Sequence, residues 1–388
     1  MFQKTNLQDW EAVVQKQLKT DDIYSVLSKE NLEGILIKPY YDQVYKPLEN
    51  LPKVAESTYL VSAYHESSED NAFAFLLDHN VEGLMEKALF VNNKDLAEHI
   101  SLEEENTYFS LIDLFSEDEK GEINEQLGKE LLAKNFNRNI GINVALHQNA
   151  GASIVQQLAY SLGKAKDLTE IFGTEILKKI VFRVALGSNY FFEIGKIRAL
   201  KLVFNQLSKE FGFDEIPFIF AETSLRNKSK SDAENNLIRS TLELSAAMIG
   251  GADAVFSNDY KMENAGSLSE EISFKQQVVL AYESIINVFD DAGNGSYYIE
   301  NLTKQFAQKS WKLFLEMEDE GGYCALLKTG KIQKDIYEQA LKEQNWVAEG
   351  KIKLIGVNLY PKLEVTKTAE EMYDPSKITA IRLAEMFE

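Results

Sequence analysis

The chain has 388 residues, of which 41 are Lys or Arg and 61 are Asp or Glu, so its formal net charge is −20. This balance argues against nucleic acid or an anionic membrane as a partner, because both bind clustered positive charge. The chain has one cysteine, Cys324, which excludes an internal disulfide framework and a multi-cysteine metal site.

The first twenty residues predict a helix and not a targeting segment. Their apolar residues Trp10, Val13, Val14 and Leu18 fall at helical spacing, without the apolar core of a signal peptide. Nowhere does the sequence approach the roughly 18 consecutive apolar residues of a membrane span. We therefore expect a cytoplasmic protein whose N-terminal helical extension lies against a neighbouring surface.

Beyond this extension, short apolar runs alternate with amphipathic stretches. The runs that predict strands are 34–37, 58–64, 88–91, 108–114, 142–146, 181–186, 217–221, 252–256 and 354–357. Between them, positions such as Ile194, Ile197 and Leu200 mark the apolar face of a helix. Eight strand–helix units over roughly 300 residues fit a (β/α)8 TIM barrel. A doubly wound open sheet remains the alternative, because periodicity does not distinguish a closed sheet from an open one.

Two polar segments follow predicted strands, where a barrel places its active site. His147, Gln148 and Asn149 follow the run 142–146, and Arg226 follows the run 217–221. A histidine at such a position acts as an acid or base, or it caps a helix and packs in a loop. An arginine there binds a phosphate or carboxylate, or it lies in a solvated loop. Both interpretations stay open for both segments.

Several ordered motifs resemble the barrel domain of methylmalonyl-CoA mutases and together cover most of the chain. They are 34–41 (GILIKPYY), 150–152 (AGA), 191–200 (FFEIGKIRAL), 235–241 (NNLIRST), 246–251 (AAMIGG), 283–284 (ES), 291–303 (DAGNGSYYIENLT), 321–322 (GG) and 355–358 (IGVN). The resemblance implies a barrel that isomerises coenzyme A esters with adenosylcobalamin, whose radical chemistry does the reaction. It also makes Glu283 a candidate cofactor contact on the barrel face.

Other motifs depart from the catalytic pattern of this family. Catalytic chains typically carry Tyr-His-x-Gln-Glu before Ala-Gly-Ala, whereas Ala145 and Leu146 stand at the Tyr-His positions here. His147 is therefore displaced by one position. The arginine-rich segment that holds coenzyme A is replaced by residues 57–64, in which only Tyr64 matches a family site residue. Losing several polar pocket groups removes the preorganised contacts that bind a transition state.

These departures resemble the small, non-catalytic subunit of heterodimeric mutases. The resemblance leaves no assigned catalytic residue and no metal site. The vestigial-site candidates are Tyr64, His147, Gln148 and Asn149, and the candidate substrate contact is Arg226.

The cobalt-binding motif Asp-x-His-x-x-Gly of active subunits is absent. The residues two positions before the four histidines are Ala63, Leu77, Ala97 and Ala145, so none is Asp. By resemblance we expect an N-terminal extension over 1–45 and a mutase-like barrel over 46–365. Residues 366–388 resemble the start of a linker toward a cobalamin domain that is missing. Adenosylcobalamin is thus expected in the complex and not on this chain alone.

The leading hypothesis is a structural subunit that pairs with a large catalytic mutase subunit, with a homodimer as a further arrangement of the isolated chain. The alternative is a divergent acyl-CoA mutase that works with a separate cobalamin-binding chain. A third hypothesis is a cofactor-free barrel enzyme with His147 as its base. The barrel interior discriminates among them, because a catalytic mutase barrel needs an open axial channel and a vestigial one is filled by side chains.

Overall fold

The computed structural model describes residues 6–29, 31–42, 48–64, 72–115 and 121–388, and eight parallel strands form one sheet within them. The strands are β1 Tyr59–Ala63, β2 Ala74–Leu77, β3 Ala88–Val91, β4 Thr107–Ser110, β5 Ile140–Asn143, β6 Ile180–Leu186, β7 Phe218–Thr223 and β8 Ala254–Phe256. Their order is β4-β3-β2-β1-β8-β7-β6-β5. The end strands meet through parallel bridges that join Phe109 to Arg138 and Asp113 to Gly141. The sheet is therefore a nearly closed barrel, which confirms the TIM-barrel prediction over the open sheet.

Helices surround this barrel, and further helices precede the first strand and follow the last one. They are α1 Leu7–Leu18, α2 Ile23–Leu27, α3 Lys94–His99, α4 Glu125–Ala133, α5 Ala145–Ala150, α6 Ile154–Phe172, α7 Tyr190–Glu210, α8 Ala233–Ile249, α9 Ser267–Val278, α10 Tyr297–Asp319, α11 Tyr323–Lys328, α12 Lys331–Ala348 and α13 Ala369–Met372. No helix in the described part of the chain has both the length and the apolar character needed to cross a membrane.

Three sequence predictions differ from the observed elements. The runs 34–37 and 354–357 contribute only isolated bridges, and β2 was not predicted. Strand β2 has the sequence AFLL, which is short and lacks the β-branched residues that mark a strand. The N-terminal helix α1 forms as predicted; it has no buried residue, and its Trp10 ring stacks on Tyr40 with the ring centroids 5.3 Å apart.

Aromatic side chains fill the interior of the barrel. Alternate residues on the strands form a cluster separate from the outer core, and its rings belong to Tyr59, Phe90, Phe109, Phe218, Phe220 and Phe256. The ring centroid of Phe109 lies 4.8 Å from those of both Phe90 and Phe218, and Phe90 lies 5.1 Å from Phe220. Alanines at other inward positions leave room for these rings. The interior is a packed core, as in most TIM barrels.

A buried ion-pair network joins helices α7 and α10. The Arg198 guanidinium, which is fully buried, donates to Asp291 at 2.7 Å, to Glu300 at 2.9 Å and to the Thr303 hydroxyl at 3.0 Å. Arg198 lies in the motif 191–200 and its three partners lie in the motif 291–303. These two motifs therefore hold the outer helices in place.

Removing one ring from the barrel interior tests how tightly it is packed. We expect Phe220→Ala to lower the free energy of unfolding by about 3–5 kcal/mol, because the side chain is fully buried and leaves a cavity. Urea unfolding followed by circular dichroism measures the change. The matched control is Phe73→Ala, since Phe73 is 72% exposed and its loss should change the free energy by less than about 0.5 kcal/mol. Equal effects of the two variants would contradict a packed interior.

Candidate functional site

Helix α5 lies at the carboxyl end of β5 and carries three of the predicted site residues. The sequence placed His147 in a loop after a strand that reaches residue 146, which is wrong: the strand ends at Asn143 and the helix follows. His147, Gln148 and Asn149 are all buried. The helix ends at Gly151, whose φ of 107° suits glycine. The three candidate residues therefore lie at the carboxyl ends of the barrel strands. We call this end of the barrel the mouth.

Asn149 joins helix α5 to the loop that follows β7. Its Oδ1 accepts hydrogen bonds from the Ser224 hydroxyl at 3.1 Å, from the Leu225 N–H at 3.0 Å and from the Arg226 N–H at 3.3 Å. The structure therefore brings Asn149 and Arg226 together, although 77 residues separate them in the chain. All of these hydrogen bonds join Asn149 to other groups of the same protein.

The Arg226 guanidinium has protein partners on all three nitrogens. Its Nε donates to the Glu343 carboxylate at 2.6 Å, its Nη1 to the Ile381 carbonyl at 2.8 Å and its Nη2 to the Tyr373 hydroxyl at 3.1 Å. Burial opposes the charged form, but Glu343 and Tyr373 hold the pKa of Arg226 above its ordinary value. Arg226 therefore holds Glu343, Tyr373 and Ile381 together, and we call these four residues the Arg226 clamp.

The C-terminal segment 378–388 crosses this clamp. The Ile381 N–H donates to the Asn149 carbonyl at 3.0 Å, and the Leu383 N–H donates to the Arg226 carbonyl at 2.7 Å. At its end, the Glu388 carboxylate accepts from the Ser229 hydroxyl at 2.8 Å and from Arg382 at 2.6 Å. Burial would raise the pKa of Glu388, but these hydrogen bonds and that of Ser231 lower it to about 2. The segment thus covers part of the mouth.

Helix α5 also separates two cavities at the mouth. One, of about 590 Å³, is lined by His147, Asp113, Lys164 and Tyr323 among others. The other, of about 650 Å³, has Gln148 in its lining. Adjacent side chains of one short helix therefore belong to different cavities.

His147 is a buried, neutral imidazole. Its Nε2 lies 2.9 Å from the Tyr323 hydroxyl, while its Nδ1 is buried without a hydrogen-bond partner. Burial and the nearby Lys164 ammonium lower the pKa of His147 well below its ordinary value. Lys164 itself pairs with Asp113 at 2.8 Å. A general base needs a nitrogen within reach of the proton that it removes, and here one nitrogen is bonded and the other enclosed.

Sequence reasoning missed Asp113, Lys164 and Tyr323 as neighbours of His147. Asp113 lies in the predicted strand run 108–114, where a carboxylate among apolar residues was the available clue. Lys164 and Tyr323 lie on helices α6 and α11, and nothing local in the sequence places them at the mouth. No group of three or more His, Cys, Asp or Glu residues suitable for a metal ion occurs in the ranges that the structure describes.

Tyr64 and Glu283 lie apart from the other candidates. Tyr64 follows β1 on the outer side of the sheet, where its ring packs 5.5 Å from those of Phe75 and His79. Glu283 is exposed in a π-helical turn at Val279–Glu283 after α9. This turn lies where the strands begin, because the Asn287 carbonyl that follows it accepts from Lys53, just before β1, at 3.1 Å. Glu283 therefore lies away from the mouth, whereas Tyr64 directly follows the carboxyl end of β1 but lines neither of the two mouth cavities.

Glu33, in the N-terminal extension, lines the larger cavity. Its carboxylate accepts the N–H groups of Ile154 at 2.9 Å and Val155 at 3.2 Å, at the beginning of helix α6. Burial raises the pKa of Glu33 to about 7, although these hydrogen bonds act in the opposite direction. The contact ties the extension to the barrel through a titratable group.

The comparisons with known proteins agree on one family. The sequence model described as methylmalonyl-CoA mutase matches residues 132–387. A methylmalonyl-CoA mutase small subunit of Porphyromonas gingivalis is 34% identical over 237 residues, which cover 58% of this chain and 38% of that protein. The small subunit of Propionibacterium freudenreichii is 28% identical over 238 residues, or 58% of this chain and 37% of that protein.

A large subunit is similar as well. The methylmalonyl-CoA mutase large subunit of Porphyromonas gingivalis is 28% identical over 255 residues, which cover 61% of this chain and 36% of that protein. The chain therefore spans less than two fifths of the length of each of these three relatives.

Replacing Glu33 by Gln tests the titratable contact with helix α6. The folded pKa of about 7 lies above the value near 4.3 of an unfolded chain, so the contribution of Glu33 is fully present at low pH and is lost as the pH rises through 7. We expect the wild type to lose up to about 1.4 kcal/mol of unfolding free energy per pH unit between about pH 4.3 and 7 from this group, and no more above that range, where both states are deprotonated. Urea unfolding at pH 5, 6, 7 and 8 should show this loss in the wild type, with a plateau by pH 8, and no such loss in Glu33→Gln. The exposed Glu104→Gln is the control, and identical pH dependence in both variants would contradict the assignment.

Proposed function

Because the chain belongs to the methylmalonyl-CoA mutase family, we propose that it is the small, structural subunit of a heterodimeric methylmalonyl-CoA mutase. In this proposal the complex interconverts methylmalonyl-CoA and succinyl-CoA, and the large subunit carries the complete active site. The similarity to both small and large subunits supports a partner of related sequence. The filled barrel interior is the observation that carries the proposal.

The interior leaves no axial path for a thioester. The rings of Phe90, Phe109 and Phe218 lie in contact across the barrel, with centroids 4.8 Å apart in successive pairs. Opening a channel would require removing several buried aromatic side chains, each worth about 3–5 kcal/mol of stability. Thermal fluctuation does not supply such an energy, so substrate binding along the axis is disfavoured in this chain.

The residues at the mouth do not fit adenosylcobalamin either. The cofactor is larger than either mouth cavity, and the segment 378–388 is hydrogen-bonded across the face on which it would lie. Of the histidines, His147 is bonded to Tyr323, His79 contacts Asp78 and His99 contacts the Asp95 carbonyl. His65 lies outside the described residues. We therefore assign the cofactor of the complex to the large subunit.

The role of Arg226 separates a structural chain from one that binds substrate. We expect Arg226→Met to lower the free energy of unfolding by about 3–5 kcal/mol, because it leaves the Glu343 carboxylate without its partner. The double variant Arg226→Met/Glu343→Gln should lose less, since no unpaired charge remains. Urea unfolding measures both, and calorimetric titration with methylmalonyl-CoA runs in parallel. Tight binding that Arg226→Met abolishes without loss of stability would favour the divergent-enzyme alternative.

The decisive assay compares turnover with and without the large subunit. We expect the purified chain, supplied with adenosylcobalamin and methylmalonyl-CoA, to form no succinyl-CoA, and its complex with the large subunit to do so. The complex with His147→Phe in this chain should keep its kcat within about twofold, since His147 contributes nothing to turnover in the proposal. Turnover by the chain alone, or a tenfold loss of kcat in the His147 variant, would refute the structural role.

A further inference from the structure

A short segment after helix α9 exposes five large apolar side chains. Tyr282 is 67% exposed, Phe289 61%, Val288 59%, Ile285 56% and Val279 45%. We call these five residues the apolar ledge. Glu283 is the one charged residue within 279–289, in a chain of which 26% is charged. Such a concentration of exposed apolar side chains is unusual for a protein surface that faces only water.

The backbone presents the ledge outward in a fixed shape. Ile285 has a φ of 55°, in the left-handed region that a β-branched residue adopts only under strain. Its neighbour Ile286 packs on the core, whereas the Ile285 side chain points into solvent, so packing within this chain does not offset the strain. The Ser284 N–H donates to the Val279 carbonyl at 3.0 Å, which closes the turn.

Polar contacts anchor the far end of the ledge to the barrel. Lys53 donates to the Asn287 carbonyl at 3.1 Å, and the Leu51 N–H donates to the Asp291 carboxylate at 3.2 Å. Asp291 is in turn held by the buried Arg198. The ledge thus lies where the strands begin, at the end of the barrel opposite the mouth, and is tied to the most deeply buried ion pairs.

The exposed area of the ledge suits a protein interface. Each of its side chains leaves on the order of 100 Å² exposed, so the ledge presents roughly 500 Å² of apolar surface. This is more than half of the about 800 Å² that each partner contributes to a standard interface. Tyr282 and Phe289 are also of the residue type that is enriched in interface cores.

We propose that the apolar ledge docks the large catalytic subunit, an inference that rests on the proposed function. The chain resembles both a small and a large subunit from one organism, which makes a second barrel of related sequence the expected occupant. A second copy of this chain is disfavoured, because it would bring another net charge of −20 to the contact. Burying the ledge against a partner also supplies the packing that Ile285 lacks.

The test is a pair of matched double variants. Tyr282→Ser/Phe289→Ser removes the two aromatic residues of the ledge. Ile238→Ser/Leu242→Ser removes two exposed apolar residues from helix α8, which are 62% and 51% exposed. Both variants should keep the unfolding temperature of the wild type, because the altered side chains are mostly in solvent. Sedimentation velocity and biolayer interferometry then measure the Kd of each chain for the large subunit.

We expect the ledge variant to raise the Kd at least 30-fold and the α8 variant to change it less than threefold. Equal binding by the wild type and the ledge variant would overturn the ledge alone and leave the proposed function intact. A wild type that forms no complex with the large subunit would overturn the proposed function as well. Loss of self-association in the ledge variant, with heterodimer formation unchanged, would make a second copy the occupant and also overturn the proposal.

Discussion

The stacking of aromatic rings inside the barrel is the constraint on which the rest of the molecule depends. Large rings project inward from β3, β4 and β7, and alanines on β2, β3 and β8 give them room. Because buried side chains in mutual contact fill the interior, the barrel has no free axis. Any ligand must then bind at one of the two ends or on the outer surface, and the two ends differ in character.

Part of the mouth is covered by polar contacts among residues that an active site would use. The hydrogen bonds of Asn149 and Arg226 are made to other groups of this protein. Some of these groups belong to the segment 378–388. Buried polar groups need partners, and where no substrate supplies them the chain must do so. The opposite end differs, because the ledge there consists of exposed apolar side chains.

Much of the fold follows from local sequence properties, and the failures have local causes too. Seven of the eight barrel strands overlap predicted apolar runs, whereas β2 was missed because four residues without β-branching carry little pattern. His147 was predicted in a loop because helix α5 is only six residues long, too short for a helical period to appear. Arg198 belongs to a recognisable motif, yet no local pattern indicates that its partner Asp291 lies 93 residues away.

The sequence by itself determined the alternation of strands and helices, the resemblance to mutases and the departures from the catalytic pattern around Ala145 and Leu146. These properties are read from periodicity and motif spacing, which are local. Only the tertiary structure decided that the interior is filled, that Arg226 is enclosed by Glu343 and Ile381, and that Tyr282 faces solvent. Each of those outcomes depends on which side chains from distant parts of the chain come into contact when the barrel closes.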